Sequence, residues 1–240
     1  MSRPVPPIEL RGSADRFTGG LVEVPPTLLT ALAEVCETTL DETATAEASR
    51  DWWPLALHWS LQGQVPRRAA AVVRPADTGQ VAAVLRLCNE ARVPVTPAGG
   101  RSGVCGASVP VHGGIVLDLT ALSGLGKVDH TSGVVEVWAG TFGPPFEDEL
   151  RSVHGLTVGH FPQSFEFATL GGFIATRSGG HFATVYQHID DLVESTRTVT
   201  PAGVLETWRL PGSGAGPSPD RLIMGSEGTL GVITEAWMRV

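Results

Sequence analysis

The chain has 240 residues, enough for one large domain or two small ones around a substantial core. At 42% hydrophobic and 18% charged residues, its composition is that of a globular protein and excludes a disordered one. Lys and Arg number 17 against 25 Asp and Glu, a net charge of −8, which argues against a general nucleic-acid surface but leaves room for a local cluster of backbone donors that receives a phosphate.

Up to about Pro26 the sequence reads as irregular. "PTLLTALAEVCETTL" then carries apolar residues at helical spacing, with Thr27 in the capping position. "DWWPLALHWSLQG" is aromatic-rich and interrupted by Pro54, and reads as a packing arm without catalytic content. From Arg68 the pattern sharpens. "RAAAVVRP" is a short buried strand. "DTGQVAAVLRLCNEARV" is a helix in which Asp77 and Gln80 form a capping-box pair and Val81, Val84, Leu85 and Cys88 form the buried stripe. "VPVTPA" is a second strand, completing a βαβ unit.

After a loop at 99–107, "GGIVLDLT" is a strand, and "GKVDHTSGVVEVWAG" is a hairpin turning at Ser132-Gly133. "PPFEDELRSVHG" is a helix that starts at Pro144 or Pro145 and ends at Gly155. "TLGGFIATRS" opens another helix. "DLVESTRTVTPAGVLETWRL" is a second hairpin, turning at residues 201–203. "GSGAGPSPD" is a surface loop, and "TLGVITEAWMRV" is a last strand. The fold class is therefore α+β: an N-terminal arm over residues 1–67, a small βαβ lobe over about 68–120, and a larger, mostly antiparallel lobe over 121–240.

Three glycine-rich segments carry the chemical content. In "PAGGRSGVCGAS", Gly99, Gly100 and Gly103 allow consecutive N–H groups to face one point, an anion nest suited to phosphate. No Gly-Lys-Ser/Thr follows, so it is not a Walker A loop, and no helix follows as in a dinucleotide fingerprint. The alternative is a glycine turn with no ligand. In "PQSFEFATLGGFIATRSGG", Thr169 caps a helix whose first turn holds Gly171 and Gly172. That turn either faces an anion with bare N–H groups or packs closely on a sheet. In "MGSEGTLGVIT", glycines surround Glu227 and Thr229, leaving backbone that can lie along a planar cofactor, or else forming a bulged strand entry. Together the three segments read as one long ligand threaded between two lobes.

"PAGGRSGV", "PQSFEFATLGGFIATRSGG" and "MGSEGTLGVITEA", in this order and spacing, resemble the FAD-binding domain of the vanillyl-alcohol oxidase/p-cresol methylhydroxylase superfamily. Within it they are most similar to the branch holding alkyldihydroxyacetonephosphate synthase and the D-lactate and glycolate dehydrogenases. The resemblance runs from about Arg68 to Val240 and implies the two-lobe fold of that superfamily. It also implies that Pro97, Ala98, Gly99, Gly100, Arg101, Ser102 and Gly103 wrap the FAD pyrophosphate. Gln163, Ser164, Phe165, Glu166, Phe167, Ala168 and Thr169 would line the cofactor, as would Thr176, Arg177, Ser178 and Gly179. Glu227, Gly228, Thr229, Leu230, Gly231, Val232 and Ile233 would form the last contacting segment. His160 stands where the synthases carry an active-site histidine, which implies a catalytic role; a loop histidine that orders the turn is the alternative.

Covalently flavinylated relatives carry Gly-Gly-His in the first loop. Here that loop reads "GGRSG", with Arg101 at the tether position, whereas "RSGGH" with His181 lies in the second segment, so the resemblance implies FAD held without a covalent bond. The implied function is that of an FAD-linked oxidoreductase or a synthase-like flavoenzyme, acting on a 2-hydroxy acid or on acyl-dihydroxyacetone phosphate. The chain is expected to stop before the substrate cap, with a homo-oligomer or a cap-supplying partner completing it. A non-catalytic flavin-binding module stands beside this reading. Cys36, Cys88 and Cys105 have unrelated spacings that favour neither disulfides nor zinc and fit a reduced cytoplasm, with Cys105 as a small residue filling the first loop. Asp190-Asp191 reads as a solvated acidic turn, not a metal pair. No apolar run is long enough to span a membrane, and no signal-peptide core is present.

Overall fold

A computed structural model of the chain describes residues 8–9, 16–185, 187–210 and 216–240. They divide into two compact units. The first runs to Pro75 and resumes over Ala83–Asp118; the second comprises Ala76–Ala82 and Leu119–Val240.

The first unit contains α1 (Pro26–Val35), β1 (Glu37–Thr39), α2 (Glu42–Ala48), α3 (Pro54–Leu61) and β2 (Ala71–Arg74). It continues with α4 (Thr78–Glu90), whose first residues fall in the second unit, and with β3 (Val95–Ala98) and β4 (Ile115–Asp118). The sheet order is β1-β2-β4-β3, with β2, β4 and β3 parallel and β1 antiparallel on the β2 edge. All four residues of β4 are buried, as expected of a central parallel strand. The α4 start follows the capping-box logic: Asp77 Oδ1 accepts the Gln80 N–H at 2.8 Å, and Gln80 Oε1 reaches back to the Ala76 N–H at 2.7 Å.

The N-terminal region is more ordered than its sequence pattern implies. Thr27 is not the cap of α1. Pro25 is, in an extended conformation, because Pro26 at the first helical position supplies the fixed φ that starts the helix. Pro54 likewise begins α3 and does not break a segment. The stretch expected to continue α1 turns into β1, whose Thr38 and Thr39 pair with Val73 and Val72. Arg67, 1% exposed, donates its guanidinium to the carbonyls of Val111 at 2.6 Å and Phe17 at 2.8 Å. A buried charge satisfied by carbonyl dipoles ties the residues before α1 to the loop before β4.

The second unit holds β5 (Leu125–Asp129), β6 (Val134–Trp138), α5 (Gly143–Glu149), α6 (Leu170–Ala175), α7 (Ile189–Leu192), β7 (Val193–Thr200), β8 (Gly203–Glu206), α8 (Pro219–Ile223) and β9 (Val232–Arg239). Its sheet is antiparallel throughout, in the order β5-β6-β9-β7-β8, so the last strand of the chain lies at the centre. Asp129 accepts the Thr131 and Ser132 N–H groups and closes the first hairpin at the expected turn. The core joins Val135 and Val137, Phe146 and Leu150, Phe173 and Ile174, and Ile233 and Met238. Part of "GSGAGPSPD" lies outside the described residues; its end forms the start of α8, which the pattern did not indicate.

Gly171 shows how closely α6 sits on the sheet. A Cβ at this position would meet Ala139 Cβ at 2.8 Å and its carbonyl oxygen at 3.0 Å. Gly171→Ala is expected to destabilise the protein by about 2–3 kcal/mol, the cost of overpacking a rigid contact. Urea unfolding should show a lower midpoint at an unchanged slope.

Candidate functional site

The first glycine loop leaves the C-terminal end of β3, where parallel sheets place their ligands. Among the described residues, the N–H groups of Gly99, Gly100, Ser102 and Gly103 make no backbone hydrogen bond. Four donors on one loop, none of them committed to the backbone, are what an anion nest requires. Arg101 has a left-handed backbone with φ 54°, and its guanidinium lies 3.8 Å from Asp118 at the end of β4. Arg74, at the end of β2, meets the same carboxylate at 3.3 Å. Asp118 thus holds the two cations that border the loop.

The α6 N-terminus resolves differently. The Leu170 N–H donates to the Thr141 carbonyl at 2.8 Å, Gly171 to Ala139 at 2.8 Å, and Gly172 to Thr169 Oγ1 at 3.3 Å. With its first-turn donors satisfied inside the protein, α6 does not offer an anion site, and Gly171, though not Gly172, takes the close-packing role on the sheet.

At the other end of α6 the second and third glycine segments meet. Thr176, Arg177 and Ser178 return their N–H groups to Gly172, Ile174 and Phe173, closing the helix. Arg177 takes the left-handed turn at φ 51°. The third segment docks on this end: the Gly225 N–H donates to Ile174 and the Glu227 N–H to Ala175, each at 3.1 Å. Glu227 is also left-handed, at φ 48°. Of the four non-glycine residues with positive φ among those described, Arg101, Arg177 and Glu227 therefore lie one in each glycine segment. Such backbone persists only where its surroundings enforce it, and it concentrates at binding sites.

The enforcing contact in this unit is Asp190. Its carboxylate, 4% exposed, receives Arg177 through Nε at 3.1 Å and through Nη2, and receives Arg221 of α8 at 3.1 Å; His188 Nδ1 lies 3.6 Å away. Burial pushes the Asp190 carboxyl up, but the Arg177 hydrogen bond and the charges of Arg177, Arg221 and His188 outweigh it and hold it below the usual carboxylate range. The expectation of a solvated acidic turn is corrected here: only Asp191, half exposed, fits it.

Among the other expected residues, Gln163 and Glu166 are exposed on a turn whose Phe167 and Ala168 N–H groups donate to the Ser164 carbonyl. Thr176 Oγ1 and Ser178 Oγ lie 2.8 Å apart on the turn after α6. Thr229 and Leu230 are exposed, whereas Val232 and Ile233 are buried in the sheet, Ile233 within the core. His181 is exposed on a short helical turn.

His160 is 1% exposed, edge-on to Phe173 at a ring distance of 6.1 Å, and neither ring nitrogen has a hydrogen-bond partner. Burial drives its pKa below the ordinary value; the nearby Ser178 backbone opposes this and the His188 charge adds to it, leaving a neutral imidazole. The strand-like approach to His160 is set by Glu147 of α5, whose buried carboxylate accepts the Thr157 hydroxyl at 2.7 Å and the Val158 N–H at 3.0 Å. Glu147, Asp190 and Arg221 had no signal in the sequence, because each acts through partners far from it in the chain.

Comparison with known proteins shows the family. Residues 69–208, more than half of the chain, match the FAD binding domain family. The alkyldihydroxyacetonephosphate synthase of Dictyostelium discoideum is 39% identical over 181 residues, covering 74% of this chain and 30% of the synthase. The D-lactate dehydrogenase of Anaerostipes hadrus is 35% identical over 175 residues, 72% of this chain and 36% of the dehydrogenase. The chain thus spans about a third of the length of these curated relatives. A solved alkyldihydroxyacetonephosphate synthase aligns with a TM-score of 0.86 at 31% identity, over 98% of this chain and 43% of that one. p-Cresol methylhydroxylase aligns with a TM-score of 0.69 at 18% identity over 89% of this chain and 42% of that one, a likeness of fold alone. The chain belongs to the FAD binding domain family, with alkyldihydroxyacetonephosphate synthases and D-lactate dehydrogenases among its relatives.

Proposed function

We propose that this chain holds FAD without a covalent bond and serves a flavoenzyme acting on a small hydroxylated substrate, a 2-hydroxy acid or acyl-dihydroxyacetone phosphate. The observation that carries it is the set of backbone donors left open at Gly99, Gly100, Ser102 and Gly103, beside an Arg101 that cannot act as a histidyl tether. When bound, FAD supplies the ring that accepts two electrons; the chain supplies binding and orientation. Pro97 through Gly103 take the pyrophosphate. Gln163 through Thr169, Thr176 through Gly179 and Glu227 through Gly231 line the rest, with Val232 and Ile233 anchoring that last turn in the sheet.

His160 stands in the second unit as a neutral imidazole near the Ser178 turn. Its burial suits holding or releasing a proton through that turn, not from open solvent. The printed names of the relatives motivate the two substrate classes, and the greater part of each relative's length lies outside the matched region. Whole-enzyme turnover is therefore part of the proposal.

Reconstitution tests the cofactor assignment. Purified protein mixed with FAD and desalted should keep a flavin band near ~450 nm, and acid precipitation should release all of it to the supernatant. Absence of the band overturns FAD binding, and colour retained in the pellet overturns non-covalent attachment. For His160, the folded protein binds its proton more weakly than the unfolded chain. Stability is therefore full above the unfolded pKa of about 6.5 and falls as pH drops toward the lower folded value, by up to about 1.4 kcal/mol per pH unit. His160→Leu should lose little at pH 8, since no hydrogen bond is broken, and should remove that acid-side slope in urea unfolding between pH 8 and pH 5.

Asp190→Asn should cost about 2 kcal/mol, discounted from a fully buried pair because Arg177 and Arg221 are half exposed. With its pKa lowered on folding, Asp190 stabilises the protein above the ordinary carboxylate pKa, and this is lost as pH falls through the folded value. The difference between wild type and variant should therefore shrink in acid.

A further inference from the structure

The arm at Asp51–Trp53, read from its sequence as packing alone, makes the most specific contacts in the first unit. Asp51 is 2% exposed. Its Oδ1 accepts the Trp53 N–H at 3.0 Å, while Oδ2 is enclosed without a hydrogen-bond partner and lies 3.9 Å from where a Cβ on Gly103 would stand. The neighbouring Trp52 N–H donates to the Gly103 carbonyl at 2.9 Å. The Trp53 ring lies under Gly106, a left-handed residue at φ 84°, where a Cβ would meet the ring at 3.4 Å. Burial raises the Asp51 carboxyl above its ordinary range, and the N–H groups of Trp53, Ser108 and Gly106 draw it back. The arm therefore meets the glycine loop at Gly103 and Gly106, both on its second half.

We infer that Asp51 is a positioning residue for the cofactor: a buried carboxyl that holds the arm against residues 103–106 of the loop and so aims the open N–H groups of residues 99–103 at the FAD pyrophosphate. The Asp51 Oδ1 holds the Trp53 N–H, which seats the Trp53 ring under Gly106 beside the Trp52 hydrogen bond to Gly103, while the N–H groups of Gly99, Gly100, Ser102 and Gly103 make no backbone hydrogen bond among the described residues. Without the carboxylate the Trp53 turn loses its charged acceptor, and the second half of the loop loses the support beneath it. This inference rests on the assignment of Pro97 through Gly103 to the pyrophosphate.

The test uses the full chain with Asp51→Asn, which keeps the shape, and Asp51→Ala. Dissociation constants are measured for FAD, for ADP by competition with FAD, and for riboflavin, which has no phosphate. Both variants should weaken FAD and ADP by about tenfold, the scale of one charge-assisted hydrogen bond, and leave riboflavin unchanged. Equal losses for all three ligands, or an unchanged or tighter FAD constant in folded Asp51→Asn, would overturn the inference. Amide hydrogen exchange of the apo-protein gives a second reading that does not depend on FAD. The Trp52 and Trp53 amides should be protected in the wild type and exchange faster in both variants, while Val72 and Val116 of the central strands are unaffected. Unchanged exchange at residues 52 and 53 rejects the inference. Failure of the wild type itself to bind FAD would instead reject the cofactor assignment beneath it.

Discussion

A backbone N–H removed from water must find an acceptor, and in this chain that rule decides which glycine segment can receive a phosphate. Two segments looked alike as sequences: "PAGGRSG" after a strand and "TLGGF" at a helix start. In the second, Thr141, Ala139 and Thr169 take every first-turn donor, and Gly171 lets the helix come down onto Ala139. In the first, the chain turns away from the sheet with its donors open. The same residue type serves close packing in one place and ligand access in the other, and only the tally of acceptors separates them.

The second consequence concerns rigidity. Arg101, Arg177 and Glu227 hold left-handed backbone that costs side-chain-bearing residues on the order of 1 kcal/mol or more each. Each is held by a specific contact. Asp118 meets Arg101, Asp190 grips Arg177, and the Ala175 carbonyl receives the Glu227 N–H. Asp190 also takes Arg221, so one buried carboxylate joins the end of α6 to α7 and α8 and fixes the turn carrying Thr176 and Ser178. Binding a large planar cofactor benefits from such pre-organisation, because little loop entropy remains to be lost.

Much of this was legible in the sequence. The βαβ unit, both hairpins, the Asp77–Gln80 cap and the place of the glycine loops follow from local periodicity and turn chemistry, which act over a few residues. What escaped reading was built from distant partners. β1 forms only because β2 offers an edge thirty-odd positions on, and α1 starts at Pro26, capped by Pro25, because two consecutive prolines dominate over a capping threonine. Asp51, Glu147 and Asp190 look like ordinary surface acids in sequence. Their importance comes from burial against N–H groups or arginines that no spacing rule connects to them. The Asp190-Asp191 pair shows the limit well, since two identical neighbours end up one buried and clamped, the other half in water.

The charge arrangement around the first loop also bears on how an acidic protein receives an anion. The chain carries a net charge of −8, and the two arginines nearest the loop in the first sheet share Asp118. Arg74 also faces Glu37 at 4.0 Å. The cations at this end of the sheet are therefore matched by carboxylates, and long-range attraction contributes little. What remains is short-range: fixed N–H dipoles at hydrogen-bond distance, which are screened weakly by salt and depend steeply on geometry. A site that works through oriented dipoles and not through net charge needs its loop held in shape. The buried carboxylates and the tryptophan beneath Gly106 meet that need in the first unit, as Asp190 does in the second.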